Sequence, residues 1–175
     1  DGTLVAVAGC DTTWIGTWAP GEAEATPTRV ADFASYGTRL QLDAQGDGFV
    51  EFYSELVRWQ DGVATPMEIP GRPKVNDSTL VAARHDHAWY ARGSKLWRWG
   101  ESAWEPVPTP EDRRIAWAAG LGFDTPWLLF TNGTVAMRTA DGSWHDVALP
   151  PTPDLPEPPK ATRLFVTSPG NAWVE

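Results

Sequence analysis

The chain is predicted to be all-β, a propeller of four-stranded antiparallel blades, on three observations. The first is a forty-residue period: Arg58, Arg98 and Arg138 stand forty apart, as do Pro70, Pro110 and Pro150. The second is that the acid–small pairs Asp61-Gly62, Glu101-Ser102 and Asp141-Gly142 keep the same step, with Trp104 and Trp144 behind them. The third is a large aromatic after each inner turn: Trp14, Phe49, Trp89, Trp127 and Trp173, at intervals of 35, 40, 38 and 46. A period of about 40–45 residues with several short strands per unit marks a propeller blade.

The elements follow in order. An apolar inner strand opens each unit: Leu4 to Ala8, Arg39 to Asp43, Thr79 to Ala83, Arg114 to Ala118 and Arg163 to Thr167. Turns rich in Gly and Asp follow, because these residues tolerate positive φ or bond their own backbone. The second strand carries the aromatic. The third carries the arginine: Leu56 to Trp59, Leu96 to Trp99 and Val135 to Arg138. An Asp-Gly or equivalent pair then makes a hairpin to the fourth strand, Thr65 to Ile69, Trp104 to Thr109 and Trp144 to Leu149. The closing proline suits an outer edge, where no neighbour needs its missing N–H.

These strands place the blades at about residues 3–37, 38–77, 78–112 and 113–160, with a partial blade at 161–175, in one propeller region over 1–175. The first blade is irregular, with one outer strand expected near Arg29 to Phe33. Pro150 to Lys160 reads as an extended, Pro-rich connection. Four blades and part of a fifth predict a portion of a larger propeller. Leu164, Phe165, Val166 and Trp173 of the last blade need covering, and its open edge invites another strand. A protein partner, or additional polypeptide completing the propeller, is therefore expected.

Composition excludes other classes. A net charge of −9, with no Lys/Arg cluster, argues against nucleic acid, which needs a basic face. No apolar run reaches the length of a membrane-spanning helix, so no membrane insertion is expected. Cys10 is the single cysteine, which rules out an intrachain disulfide. Leu4 to Cys10 imitates the end of a lipoprotein signal. The inner-strand reading is preferred, because the spacing from Gly9 to Trp14 repeats from Gly122 to Trp127.

The segment from Ala88 to Pro108, with its Leu96-Trp97-Arg98-Trp99-Gly100 core and Trp104, resembles the repeats of tectonin-like propellers and of Trp-rich bacterial surface propellers. The resemblance covers 38–150, and 1–18 and 161–175 in part. It implies the architecture, a binding role, a secreted or cell-surface bacterial location, and glycan as an alternative ligand. No individual binding residue is carried over from it.

Candidate chemistry is sparse. The periodic Trp columns are expected to pack between blades. The aromatics Trp18, Tyr53, Trp97, Trp117 and Phe123 lie outside those columns and are the candidate partner contacts, able to stack on a sugar or dock a protein. His85 and His87, which flank Asp86 in a turn, are further candidate partner contacts and the only metal-like cluster. A zinc site wants three or four ligands, so the turn reading is preferred and no metal or cofactor is expected.

Asp11, Asp86 and Asp124 each precede the aromatic by three residues. They could form a carboxylate pair for glycoside hydrolysis, but the repeated turn explains them. Asp141-Gly142-Ser143-Trp144 lacks the spacer of a sialidase Asp box, so no catalytic residue is assigned. The arginines are expected to lie along adjacent Trp faces. Asn76-Asp77-Ser78 and Asn132-Gly133-Thr134 fit the glycosylation acceptor pattern. The leading expectation is a non-catalytic binding module within a larger bacterial assembly. A carbohydrate-binding lectin is the alternative, and a propeller hydrolase stands third.

Overall fold

The computed structural model describes residues 4–9, 13–18, 21, 23–24, 26–31, 39–42, 46–51, 56–70, 78–84, 87–100, 102–110, 112–120, 125–149, 163–168 and 171–175. They form strands and turns only, in two compact units: residues 1–75 with 84–86, and residues 76–83 with 87–175.

The first unit holds two sheets. β1 (Leu4–Gly9), β2 (Thr13–Trp18) and β3 (Thr26–Ala31) make a three-stranded antiparallel meander. The outer strand runs a little earlier than Arg29 to Phe33. β4 (Arg39–Leu42), β5 (Gly48–Glu51), β6 (Leu56–Gln60) and β7 (Val63–Met67) make a four-stranded one. Phe49, Val50, Leu56, Val57 and Trp59 are buried. The β6–β7 turn is Asp61-Gly62, with φ of 51° and 75°. Two successive positive φ values give the two-residue turn whose twist matches the strands, which is why Asp-Gly stands there. A Cβ on Gly48 would overlap the backbone carbonyl oxygen of Gln41. Gly48→Ala should therefore cost at least about 2 kcal/mol in a denaturant melt, since backbone cannot yield as a side chain can.

The second unit holds three sheets. β8 (Ser78–Arg84), β9 (His87–Arg92), β10 (Lys95–Trp99) and β11 (Trp104–Val107) form one. β12 (Ile115–Ala119), β13 (Trp127–Phe130), β14 (Val135–Arg138) and β15 (Trp144–Val147) form the next. β16 (Leu164–Ser168) and β17 (Asn171–Val174) pair as a third, of two strands. The outer strands end earlier than the period suggested: β11 stops before Pro108 and β15 stops at Val147. In β11 a proline without an N–H ends the run.

Within the second unit, neighbouring sheets bury their facing sides on each other. Trp89, Ala91 and Leu96 pack on Ile115, Ala118, Leu128, Phe130 and Ala136, with Val107 and Trp144 at the margin. On the far side of the second sheet, Trp127, Leu129 and Val135 pack with Leu164, and Val166, Ala172 and Val174 close over them. Strand alternation explains the division. Leu128 and Phe130 face one neighbour, and Trp127 and Leu129 face the other.

The arginine period hides a change of face. Arg58 stands opposite Phe49, and Arg98 opposite Trp89. Met137 stands opposite Trp127, which leaves Arg138 one residue out of phase. Gly93-Ser94 connects β9 and β10 in two residues. Between the paired ends Phe130 and Thr134 lie three, Thr131 to Gly133. One extra residue turns the following side chains to the opposite face. Arg138 accordingly points back toward the preceding sheet, 5.7 Å from the Trp89 ring centroid.

Arg113 clamps the second sheet. It donates to Asp146 at 2.8 Å and to the Thr134 hydroxyl at 3.0 Å, and lies 4.3 Å over the Phe130 ring. Its side chain is 15% exposed while that of Asp146 is 67% exposed, so the ion pair itself adds little and the packing of the guanidinium on Phe130 adds the rest. Arg113→Ala should lower stability by about 1–2 kcal/mol, measured by denaturant unfolding.

Candidate interaction surface

Large apolar side chains left in water are the informative exception in a folded chain. Among the described residues four qualify: Val63, Leu149, Phe165 and Trp173. The last three belong to the second unit and to the region of β15–β17.

Phe165 and Trp173 are cross-strand partners in β16–β17, so they stand side by side on one face. They are 48% and 68% exposed. The opposite face of the same two strands is the one that packs on the second sheet. Trp173 occupies the position in β17 that Trp89 occupies in β9 and Trp127 in β13. Those two are 1% and 5% exposed because a further sheet covers them. Trp173 is the aromatic of the partial blade that the sequence marks as needing cover, and it is exposed. The column is kept, but among the described residues nothing lies over it. Trp104 and Trp144 are half-buried rather than enclosed. Trp144 still anchors its sheet, donating its indole N–H to the Pro108 carbonyl at 2.8 Å.

The backbone repeats the pattern. β9 pairs with β10, and β13 with β14, along the edge away from the inner strand. Among the described residues no strand pairs with that edge of β17. Glu175 and Arg163 exchange both backbone hydrogen bonds, at 3.1 and 3.2 Å. Alternation along an antiparallel ladder then turns the amides of Ala172 and Val174 outward.

The other candidate contacts are dispersed. Trp97 sits between Tyr90 and Pro106 across the ladder, 6.2 Å from the Tyr90 ring, and is half-buried. It lines an open cleft of about 560 Å³ with Lys95, Leu96, Pro106, Pro108 and Asp112. Trp117 packs against the Trp127–Leu164 core, so it is a structural contact. His87 opens β9, half-buried. Trp18 ends β2 opposite Leu4. Its side chain lies outside the described residues, as do Tyr53, His85 and Phe123. Sequence reasoning marked Phe165 and Trp173 as needing cover and did not single out Leu149.

Electrostatics serve the turns. Asp141 accepts hydrogen bonds from the hydroxyls of Ser143 and Thr139, both at 2.6 Å, and from the Ser143 amide at 3.0 Å. The Ser143 hydroxyl first, then that of Thr139, holds the carboxyl well below the usual range. A lowered folded pKa stabilises the turn above the ordinary carboxylate pKa, near 4, and that contribution is lost as pH falls through the folded value. Amide exchange in the β14–β15 turn should therefore accelerate below about pH 4, beyond the intrinsic pH trend. An Asp141→Asn variant should show no such step. Among the described residues no three of His, Cys, Asp and Glu are grouped to hold a metal ion, and no helix is long and apolar enough to cross a membrane.

No protein-family model matches the chain, and no curated protein sequence matches it. Among solved structures it is similar to virginiamycin B lyase from Staphylococcus aureus, with a TM-score of 0.59 at 15% identity over 97% of this chain and 61% of that one. YCF48 bound to D1 peptide matches at a TM-score of 0.37 and 15% identity, over 77% of this chain and 59% of that one. The chain spans about three-fifths of the length of the lyase structure it matches. The likeness to the lyase shows the fold: the four-stranded antiparallel sheets are blades of a β-propeller.

Proposed function

We propose that this chain is a non-catalytic β-propeller scaffold whose exposed β16–β17 side is covered by a protein partner, or by additional polypeptide completing the propeller, within a larger secreted or cell-surface bacterial assembly. One observation carries the reading. Trp173 is 68% exposed where its counterparts Trp89 and Trp127 are buried under a neighbouring sheet. A face with two adjacent aromatics, beside a strand edge that no described strand pairs with, is suited to polypeptide. Asp141, the carboxylate nearest to a hydrolase-type box, is held by its own turn.

The test is photo-cross-linking. A benzophenone amino acid at position 165, expressed in the native cells, should capture one discrete polypeptide. Absence of any cross-link to polypeptide, in a partner or elsewhere in a longer chain, with the protein intact and folded, contradicts the reading.

The Trp97 cleft favours a second reading, carbohydrate binding. It combines one indole face with the side chains of Lys95 and Asp112, the mix that holds a sugar ring. A glycan array separates the two. Glycan binding lost in Trp97→Ala would support the lectin, and a blank array would leave the protein-binding reading alone.

A further inference from the structure

The Trp97 cleft lies on β10, β11 and the connection to β12, apart from the β16–β17 side. We infer that it is a docking groove for a proline-rich segment of a partner protein, held as a polyproline II helix with a basic residue against Asp112 and an acidic one against Lys95.

The groove is fixed before any ligand arrives. Trp97 is held in the ladder between Tyr90 and Pro106. The Thr109 hydroxyl donates to the Ser94 carbonyl at 2.9 Å, and the Ile115 amide donates to the Gly93 carbonyl at 2.7 Å. These bonds tie the end of β11 and the segment carrying Asp112 to the turn that carries Lys95. A preorganised groove spares the ordering cost of binding.

Its chemistry selects the occupant. The Trp97 indole N–H, the Lys95 ammonium and the Asp112 carboxylate line the cleft without a partner among the described residues. An indole N–H in a groove calls for an acceptor. A β-strand cannot extend the ladder through this edge, because Pro106 has no amide and Pro108 ends the run. A helix engages its carbonyls internally. Polyproline II makes no internal hydrogen bonds, so its carbonyls are free to accept. Its proline rings suit a surface made of Trp97, Pro106 and Pro108.

The two charges are of opposite sign and no ion pair joins them. A neutral sugar leaves both unanswered. A segment with an acid on one side of its prolines and a base on the other answers both, and this fixes its direction in the groove.

The probe is the capped peptide Glu-Pro-Pro-Leu-Pro-Pro-Lys, titrated into the unmodified full chain while indole N–H resonances are followed by NMR. The Trp97 resonance should move downfield, and those of Trp89 and Trp127 should stay in place. Trp97→Phe keeps an aromatic wall and removes the donor. It should weaken binding about fivefold or more, read from the Ser94 and Thr109 amides. Asp112→Asn should weaken binding about threefold or more. Replacing the peptide lysine by glutamine should then cause no further loss, because both changes remove one contact. Asp112 is exposed, so this pair of measurements decides the matter even where position 97 tolerates no change.

An unmoved Trp97 resonance at millimolar peptide, equal affinity of the Asp112→Asn variant, or losses that simply add, overturns the inference. So does a glycan that moves the Trp97 resonance where the peptide does not, which assigns the cleft to a sugar. Cross-linking at position 165 reads a different surface, so the β16–β17 reading stands or falls separately.

Discussion

Trp89→Ala is expected to lower stability by about 3–5 kcal/mol, the range for truncating a buried aromatic. Trp89 is 1% exposed and is shared by two sheets through Ala91, Leu96, Leu128 and Phe130. Removing it leaves a cavity where two blades meet, and Arg138 loses the ring over which its guanidinium lies. Trp173→Ala deletes the same side chain at the matching position of β17. It should cost the isolated chain less than about 0.5 kcal/mol, because the ring is 68% exposed. Denaturant melts of the two variants side by side check this. Equal losses would mean that the aromatic column is covered at both places.

The second large effect is on binding. Replacing Leu149, Phe165 and Trp173 together by Thr should weaken partner binding by at least about a hundredfold, since buried aromatic anchors carry most of an interface's energy. At positions 165 and 173, in β16 and β17, threonine keeps the strand preference. Unfolding free energy should change little, because all three are exposed in the chain itself. Affinity for the polypeptide captured at position 165 is the measurement. Binding that survives the triple change would move the interface elsewhere.

The fold was largely legible in the sequence because turns and strands repeat together. Asp61-Gly62 announced its two-residue turn, and the aromatics Phe49, Trp89 and Trp127 marked second strands that are in fact buried. Facing was less legible. Arg98 and Arg138 hold the same place in the period yet face opposite ways. The β13–β14 loop is one residue longer than the β9–β10 turn, and a residue count cannot show where a ladder absorbs the difference. Strand ends were also overrun, since Pro108 was counted inside a strand that stops at Val107.

The candidate site was half legible. The need to cover Phe165 and Trp173 follows from their place in inner strands. The part played by Leu149 does not, because its exposure depends on what lies beside β15 in space. Trp117 looked like a free contact because it falls outside the aromatic columns, yet it packs beside Trp127 and Leu164. The irregular β12 ladder, which shifts between Ile115 and Trp117, changes its facing in a way that no spacing reveals.

The central claim is that the Trp173 face is an interface. Hydroxyl-radical footprinting of the assembly isolated from native cells tests it most directly, by comparing oxidation of Trp173 with that of Trp89 inside the same chain. In the isolated chain Trp173 should oxidise far faster, as 68% against 1% exposure requires. In the assembly its rate should fall to that of Trp89. A Trp173 that stays as reactive in the assembly as in the isolated chain would contradict the account.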